Sequence, residues 1–314
     1  MTQVAMLVAV FSGIAGVLLL GTLVGKVLAA RTGSAVSSAV IQNYNTRIGA
    51  FWAMLAVLVV AFALGQLGLI VLFGFLSFGA LREYVTLTKT RRGDHGALLA
   101  AFLIVLPFQY YLVWIEWYGL YSIFIPVYAF LFLPIAAAVR GEPNQFLERI
   151  AELQWGLMIS VFCLSHVPAL AALSIPGFED RQLLIVAYFI VVTQASDVLQ
   201  YHWGKLLGAR KIAPTLSPKK TLEGCIGGIL SASALGAALW WLTPFTVGES
   251  FLMSLILTVL GFLGGLVMSA IKRDRGVKDW GWAIQGHGGI LDRVDSIVFA
   301  APVFFHMVKY YWAA

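Results

Sequence analysis

Residues 269–296 read SAIKRDRGVKDWGWAIQGHGGILDRVDS and hold nine charged side chains and five glycines, in a chain that is 60% hydrophobic. Lys272, Arg273, Arg275 and Lys278 supply cations. Asp279, Asp292 and Asp295 supply hard oxygen ligands, while Asp274 stands just off an apolar segment and reads as more solvated. Asp292 and Asp295 are spaced i, i+3, so a helix starting near Leu291 puts both carboxylates on one face. Such a pair with a third aspartate can hold Mg²⁺, which takes one or two carboxylates plus substrate phosphate oxygens. The run from Gly286 through His287 and Gly288 to Gly289 lets the backbone approach a ligand closely and aim N–H groups at an anion. Aspartates for a metal, basic residues for phosphates and a glycine turn at a helix N-terminus are the parts of phosphoryl or nucleotidyl transfer. A charged loop that merely joined two spans would need neither the glycines nor the spaced aspartates.

A second polar cluster runs over 194–224, QASDVLQYHWGKLLGARKIAPTLSPKKTLEG. Asp197 lies inside an apolar span with Gln194, Ser196 and Gln200 within a turn. An ionised group at membrane depth costs about 2.5 kcal/mol or more unless it is paired or hydrated, so it reads as functional, with a structural ion pair as the alternative. The chain then leaves the span through Lys205, Arg210 and Lys211. Ser217-Pro218 and Thr221 resemble helix-capping chemistry. Lys219 and Lys220 read equally as topology lysines and as phosphate partners.

These clusters need elements to carry them. Only 11% of residues are charged and the mean hydropathy is +0.88, against about 25% charged in a soluble domain. Continuous apolar runs recur along the chain, which excludes the alternating strands of a membrane β-barrel. The expected fold is all-α, a polytopic transmembrane bundle of about ten spans: 4–24, 50–65, 67–81, 97–114, 119–139, 152–173, 181–203, 225–245, 250–271 and 296–313. The segment Val4–Val24 has no basic residue before its core and is too long for a signal peptide. The run from Ile48 to Leu81 exceeds one crossing of a ~30 Å core, and Gly65-Gln66 is the expected turn. With that split, alternate loops collect every basic residue except Arg181 and Lys309 out of 21. By the positive-inside rule those loops, and the polar site in the C-terminal third, face the cytoplasm, with both termini on the other side. The net charge of +6 is mostly that topology signal and gives no support to a nucleic-acid partner. Residues 1–190 read as N-terminal transmembrane helices and 191–314 as the catalytic region of one integral membrane unit. No internal repeat is visible, which argues against a symmetric transporter. Cys163 and Cys225 lie in or beside different spans and form no disulfide or metal framework.

The 269–296 stretch resembles the signature of phosphatidate cytidylyltransferases, also called CDP-diacylglycerol synthases. That signature runs Ser-x-apolar-Lys-Arg, four residues, Lys-Asp, a small residue two further on, then Pro-Gly-His/Gln-Gly-Gly and Asp-Arg-apolar-Asp. Ser269, Ile271, Lys272, Arg273, Lys278, Asp279, Gly281, Ile284, Gly286, His287, Gly288, Gly289, Ile290, Asp292, Arg293, Val294 and Asp295 stand at matching spacing. Gln285 replaces the proline and removes a φ restraint before the glycines. The SPKKTLEG element, and Asp197 with Tyr201 and Gly204, are similar to further family elements, so the likeness covers about 194–296. It implies transfer of a cytidylyl group from CTP to phosphatidate, with release of pyrophosphate in phospholipid synthesis. It implies Mg²⁺, with a second cation left open, in a bacterial inner membrane, and a homodimer as the expected assembly. By this resemblance Asp279, Asp292, Lys278 and Arg293 are the catalytic residues. Asp279 and Asp292, with Asp295 or Asp197, hold the metal. Ser217, Lys219, Lys220, Lys272, Arg273, Gly286, His287, Gly288 and Gly289 bind substrate. His287 has a structural, nucleotide-contacting or direct role. The alternatives are a CTP-dependent lipid-alcohol kinase of related fold, a transporter or scramblase using Asp197 as an ion relay, and an inactive paralogue.

Overall fold

A computed structural model describes residues 2–31, 35–284 and 288–313, the side chains of 31 and 35–39 excepted. Ten helical segments run through the described residues. They are α1 (Gln3–Arg31), α2 (Ala35–Ala63), α3 (Gly65–Thr86), α4 (Arg92–Trp114), α5 (Tyr118–Ala138), α6 (Phe146–Ala172), α7 (Gln182–Leu207), α8 (Leu222–Ala238), α9 (Val247–Asp274) and α10 (Leu291–Tyr311). Between α7 and α8 lies a hairpin of β1 (Lys211–Ala213) and β2 (Ser217–Thr221). Eight of the ten helices are long and apolar enough to cross a membrane, so this is an integral membrane protein. A helix is the form that satisfies its own backbone in hydrocarbon. The two remaining helices differ for visible reasons: α8 has 17 residues, and α10 carries Asp292, Arg293 and Asp295 in its first turns.

The ten segments follow the ten expected spans. The long apolar run breaks where expected, with α2 ending at Ala63 and α3 beginning at Gly65, whose φ is +68°. The expected loop at 25–49 is different. It is largely helical, because α1 continues to Arg31 and α2 starts at Ala35. No glycine or proline interrupts 35–48, so nothing in that stretch breaks a helix on leaving the apolar zone.

Helix α6 is the most enclosed span, and α1 and α2 are the most open to their surroundings. Tyr188 and Phe189 of α7 pack against Phe304 of α10, with the Phe189 and Phe304 ring centres 5.4 Å apart. The Tyr188 hydroxyl meets Ser254 Oγ at 2.6 Å and the Ser250 carbonyl at 2.8 Å, so the polar tip inside this core is satisfied. Helices α7 and α8 touch backbone to backbone. A methyl group on Gly224 would lie 2.8 Å from Gly204 Cα, and one on Gly228 would lie 2.6 Å from the Gln200 nitrogen. Small residues at a membrane helix interface permit that approach, and here it sets Asp197 of α7 beside the segment that precedes α8. Residue 190 falls within α7, and α10 packs against both α3 and α6.

Candidate active site

After α7 the chain turns into the hairpin, in which Lys211 pairs with Thr221 and Ala213 with Ser217. Ser217 and Pro218 therefore lie in a strand rather than at a helix start. A two-stranded ribbon is all edge, and an edge tolerates proline. The cap of α8 is Thr221, whose Oγ1 accepts the Gly224 N–H at 3.2 Å. Glu223 fixes the corner by accepting the N–H groups of Ala209 and Arg210 at 3.0 and 3.1 Å. Successive strand residues point to opposite faces, and this separates the two lysines. Lys219 is exposed; Lys220 is half-buried, with Nζ 5.0 Å from the centre of the Phe262 ring. Burial lowers the pKa of the Lys220 ammonium, against which the nearby Asp295 and Asp197 carboxylates favour its charged form.

Asp292 organises the loop before α10. Its Oδ1 accepts Lys272 Nζ at 2.7 Å, and its Oδ2 accepts the Trp280 N–H at 2.7 Å and the Gly289 N–H at 2.9 Å. Lys272 and Asp292 are 9% and 8% exposed, so this is a buried ion pair whose carboxylate is also hydrogen-bonded to backbone N–H groups. A methyl group on Gly288 would lie 2.8 Å from Asp292 Oδ2 and 3.4 Å from Asp279 Cβ, which places the exposed Asp279 at the mouth of the same loop. The Ile284 N–H donates to the Gly288 carbonyl at 2.9 Å. Gln285, Gly286 and His287 lie outside the described residues. Arg273 braces the hairpin and the loop, donating to the carbonyls of Leu216 at 3.2 Å and Val277 at 2.8 Å. Lys278 is exposed.

Asp295 comes within electrostatic reach of Asp197, Lys220, Lys272, Asp292 and Arg293, which stand on α7, β2, α9 and α10. Asp197 sits mid-helix yet keeps open surface, as a residue lining a cleft does. Arg293 Nε is buried with no hydrogen-bond partner in the structure, a donor suited to an incoming anion. Among the described residues no group of three or more His, Cys, Asp or Glu side chains forms a ready metal cage. The Asp197–Asp295 pair nonetheless fits Mg²⁺. Two carboxylates lie within electrostatic reach of each other, and Mg²⁺ is held by one or two carboxylates with substrate phosphates and water completing its shell. Asp292 is less free for that role, because both its oxygens already accept N–H donors.

Three residues of the first six helices reach into this loop, and sequence reasoning missed them. Glu83, near the end of α3, accepts the Ile290 N–H at 2.8 Å and the Leu291 N–H at 2.9 Å. Tyr84 packs on Trp280, ring centres 5.6 Å apart. Glu152 of α6 pairs with Arg275 at 2.5 Å. The N–H groups expected to face a phosphate are thus taken at Gly289 by Asp292 and at Ile290 and Leu291 by Glu83. The one signal available was that Glu83 and Glu152 are carboxylates beside spans, which the positive-inside rule does not explain. A groove of about 790 Å³ lined by Tyr118, Pro302, His306, Lys309, Tyr310 and Tyr311 lies at the other end of α10. Its lining on α10 begins about 10 Å and ends about 24 Å along the helix from Asp295, at about 1.5 Å per residue.

Residues 45–311 match the model of the cytidylyltransferase family. The chain is 39% identical over 243 residues to the uncharacterized protein YnbB of Escherichia coli, covering 76% of this chain and 78% of that one. It is 31% identical over 246 residues to a phosphatidate cytidylyltransferase of Staphylococcus aureus, covering 76% and 89%. Against the phosphatidate cytidylyltransferase of Bacillus subtilis it is 32% identical over 213 residues, covering 67% and 76%. With a family match that takes in α3 to α10 and every residue of the charged cluster, the chain belongs to the cytidylyltransferase family.

Proposed function

We propose that this protein transfers the cytidylyl group of CTP to the phosphate of phosphatidate, giving CDP-diacylglycerol and pyrophosphate. The observation that carries the reading is that Asp295 lies within electrostatic reach of Asp197, Lys220, Lys272 and Arg293, residues contributed by α7, β2, α9 and α10. Both substrates are anionic and repel each other, so the site must neutralise them before bond formation. The names of the Staphylococcus and Bacillus relatives support the choice of phosphatidate.

In the reaction a phosphate oxygen of phosphatidate attacks the α-phosphorus of CTP, and the bond from that phosphorus to the oxygen bridging toward the β-phosphorus breaks. Pyrophosphate leaves with that oxygen. The attacking phosphate is already anionic, so no general base is needed. Arg293 Nε and Lys220 Nζ face the phosphates, and charged donors of this kind stabilise the negative charge that moves onto the leaving group. Asp197 and Asp295 would hold Mg²⁺, which would supply positive charge to screen the phosphates and stabilise the leaving group. Asp292, held by Lys272, ties the backbone at Trp280 and Gly289 to the start of α10. Arg273 holds the hairpin against it. Lys219, Lys278 and Asp279 form the exposed rim, where the lysines attract anionic headgroups, and Ser217 and Gly288 shape the cleft. The positive-inside rule supports a cytoplasmic orientation for this face, with the lipid arriving sideways from the bilayer.

The test is turnover of purified protein in mixed micelles with CTP, Mg²⁺ and a panel of anionic lipids. Mg²⁺-dependent pyrophosphate release with cytidine becoming lipid-linked on phosphatidate is the expected result. CDP release with phosphorylation of a lipid alcohol would establish a kinase instead. Transfer confined to another phospholipid would keep the reaction and replace the acceptor.

A further inference from the structure

We infer that Glu83, on the third helix and some two hundred residues from the charged cluster in sequence, is a positioning residue that sets the rotation and height of α10. The inference rests on the cytidylyl-transfer reading and adds a residue that no signature motif of the C-terminal region contains.

The first N–H groups of a helix have no partner within it. Helix α10 opens at Leu291 after Ile290, whose side chain cannot cap it. Glu83 does so from a different helix, each carboxylate oxygen accepting one of two consecutive N–H groups, at 2.8 and 2.9 Å. Its negative charge also complements the positive end of the helix dipole. Two bonds from one planar group resist rotation about the helix axis as well as sliding along it. The residues carried just beyond the clamp are Asp292, Arg293 and Asp295. Productive geometry at such sites tolerates about 0.5 Å and 10–20° of error. A small rotation of α10 would part Asp295 from Asp197 on α7.

The surroundings are cut to fit this carboxylate. A methyl group on Gly281 would lie 2.8 Å from Glu83 Oε1, and one on Gly289 would collide with Oε2. The neighbouring Tyr84 ring supports Trp280, whose N–H holds Asp292. Glu83 and Tyr84 together form a platform at the end of α3 on which the loop and the start of α10 rest.

The experiment combines Glu83→Ala, Glu83→Gln and Gly281→Ala in the full-length protein with two readouts. One is kcat and KM for CTP; the other is hydrogen exchange of the segment containing Ile290 and Leu291. In E83A the exchange of those amides should accelerate, and kcat should fall about 10- to 100-fold, the usual cost of losing an orienting partner, with KM for CTP near the wild-type value. E83Q keeps one acceptor and should fall between. G281A, which crowds the carboxylate without removing it, should lower kcat in the wild-type background and add no loss in the E83A background. Wild-type kcat in E83A, unchanged exchange, or additive G281A and E83A losses would overturn the assignment. Absence of CTP-dependent turnover in the wild type with every phospholipid would instead refute the proposed function, and the exchange readout would still decide whether Glu83 clamps α10.

Discussion

Asparagine at position 292 distinguishes a structural bracket from a metal ligand. In the native site Oδ1 receives the Lys272 ammonium and Oδ2 receives two backbone N–H groups. An asparagine amide can keep its oxygen on those two N–H groups, but its NH₂ then faces the ammonium, donor against donor. Lys272, only 9% exposed, is left charged and buried without its closest counterion. Breaking a buried pair on one side costs about 3–5 kcal/mol. Asp295 also lies close to Lys272 and offsets part of this, so the low end, about 3 kcal/mol, is expected. At about 2–4 °C per kcal/mol for chains of 150–250 residues, and less for longer ones, the melting temperature should drop on the order of 5 °C or more. The assay is thermal unfolding in detergent with EDTA present, so that metal binding does not contribute, alongside turnover with CTP and phosphatidate. D292N should lose both stability and turnover. The double variant D292N/K272M removes the orphaned ammonium and should regain much of the stability without regaining activity. A D292N protein that melts with the wild type yet is inactive would refute the bracket and return Asp292 to the metal.

Asp197→Asn and Asp295→Asn should behave in the opposite way. Each relieves repulsion between two neighbouring carboxylates, so the melting temperature in EDTA should hold or rise. Mg²⁺ should stabilise the wild type but neither variant, and turnover should fall on the order of 10²-fold or more; wild-type turnover in both would remove the pair from the mechanism. Lys220→Arg tests the ammonium in the hairpin. Burial places the Lys220 pKa below the ordinary lysine range, so its charge is lost as pH rises, earlier than for a solvated lysine. The alkaline fall in wild-type kcat/KM should move upward in K220R, whose guanidinium stays charged, and an unmoved limb would assign that fall to another group.

The course of the chain was legible because bilayer physics writes itself into composition. Runs of apolar residues announce spans, and the basic residues of the loops settle their number, including the break at Gly65. Helix ends were less legible. The 35–48 stretch carries polar residues, which read as loop, but no residue that ends a helix, so α2 begins there. The charged stretch before α10 was legible as chemistry, since aspartates, cations and glycines at that spacing have no use in a plain connector. The jobs within it were not. Asp292 and Asp295 look alike at i, i+3, yet one bonds to Lys272 and two backbone N–H groups while the other lies within electrostatic reach of Asp197. Lys219 and Lys220 look alike too, and the alternation of a two-stranded ribbon turns one out and the other in.

Local pattern alone determined that this is an all-helical membrane protein and singled out a charged, glycine-rich region near its C-terminal end. Each of those properties is additive along the chain: transfer of side chains into hydrocarbon, charge of loops, freedom of glycine. Which carboxylate meets which partner was decided only by the tertiary structure, because it depends on helices far apart in sequence lying at a fixed distance and rotation. Glu83 is the clearest case. Nothing within its own segment gives it a role; that role exists only because α3 and the start of α10 meet, where a helix end leaves two N–H groups that need an acceptor.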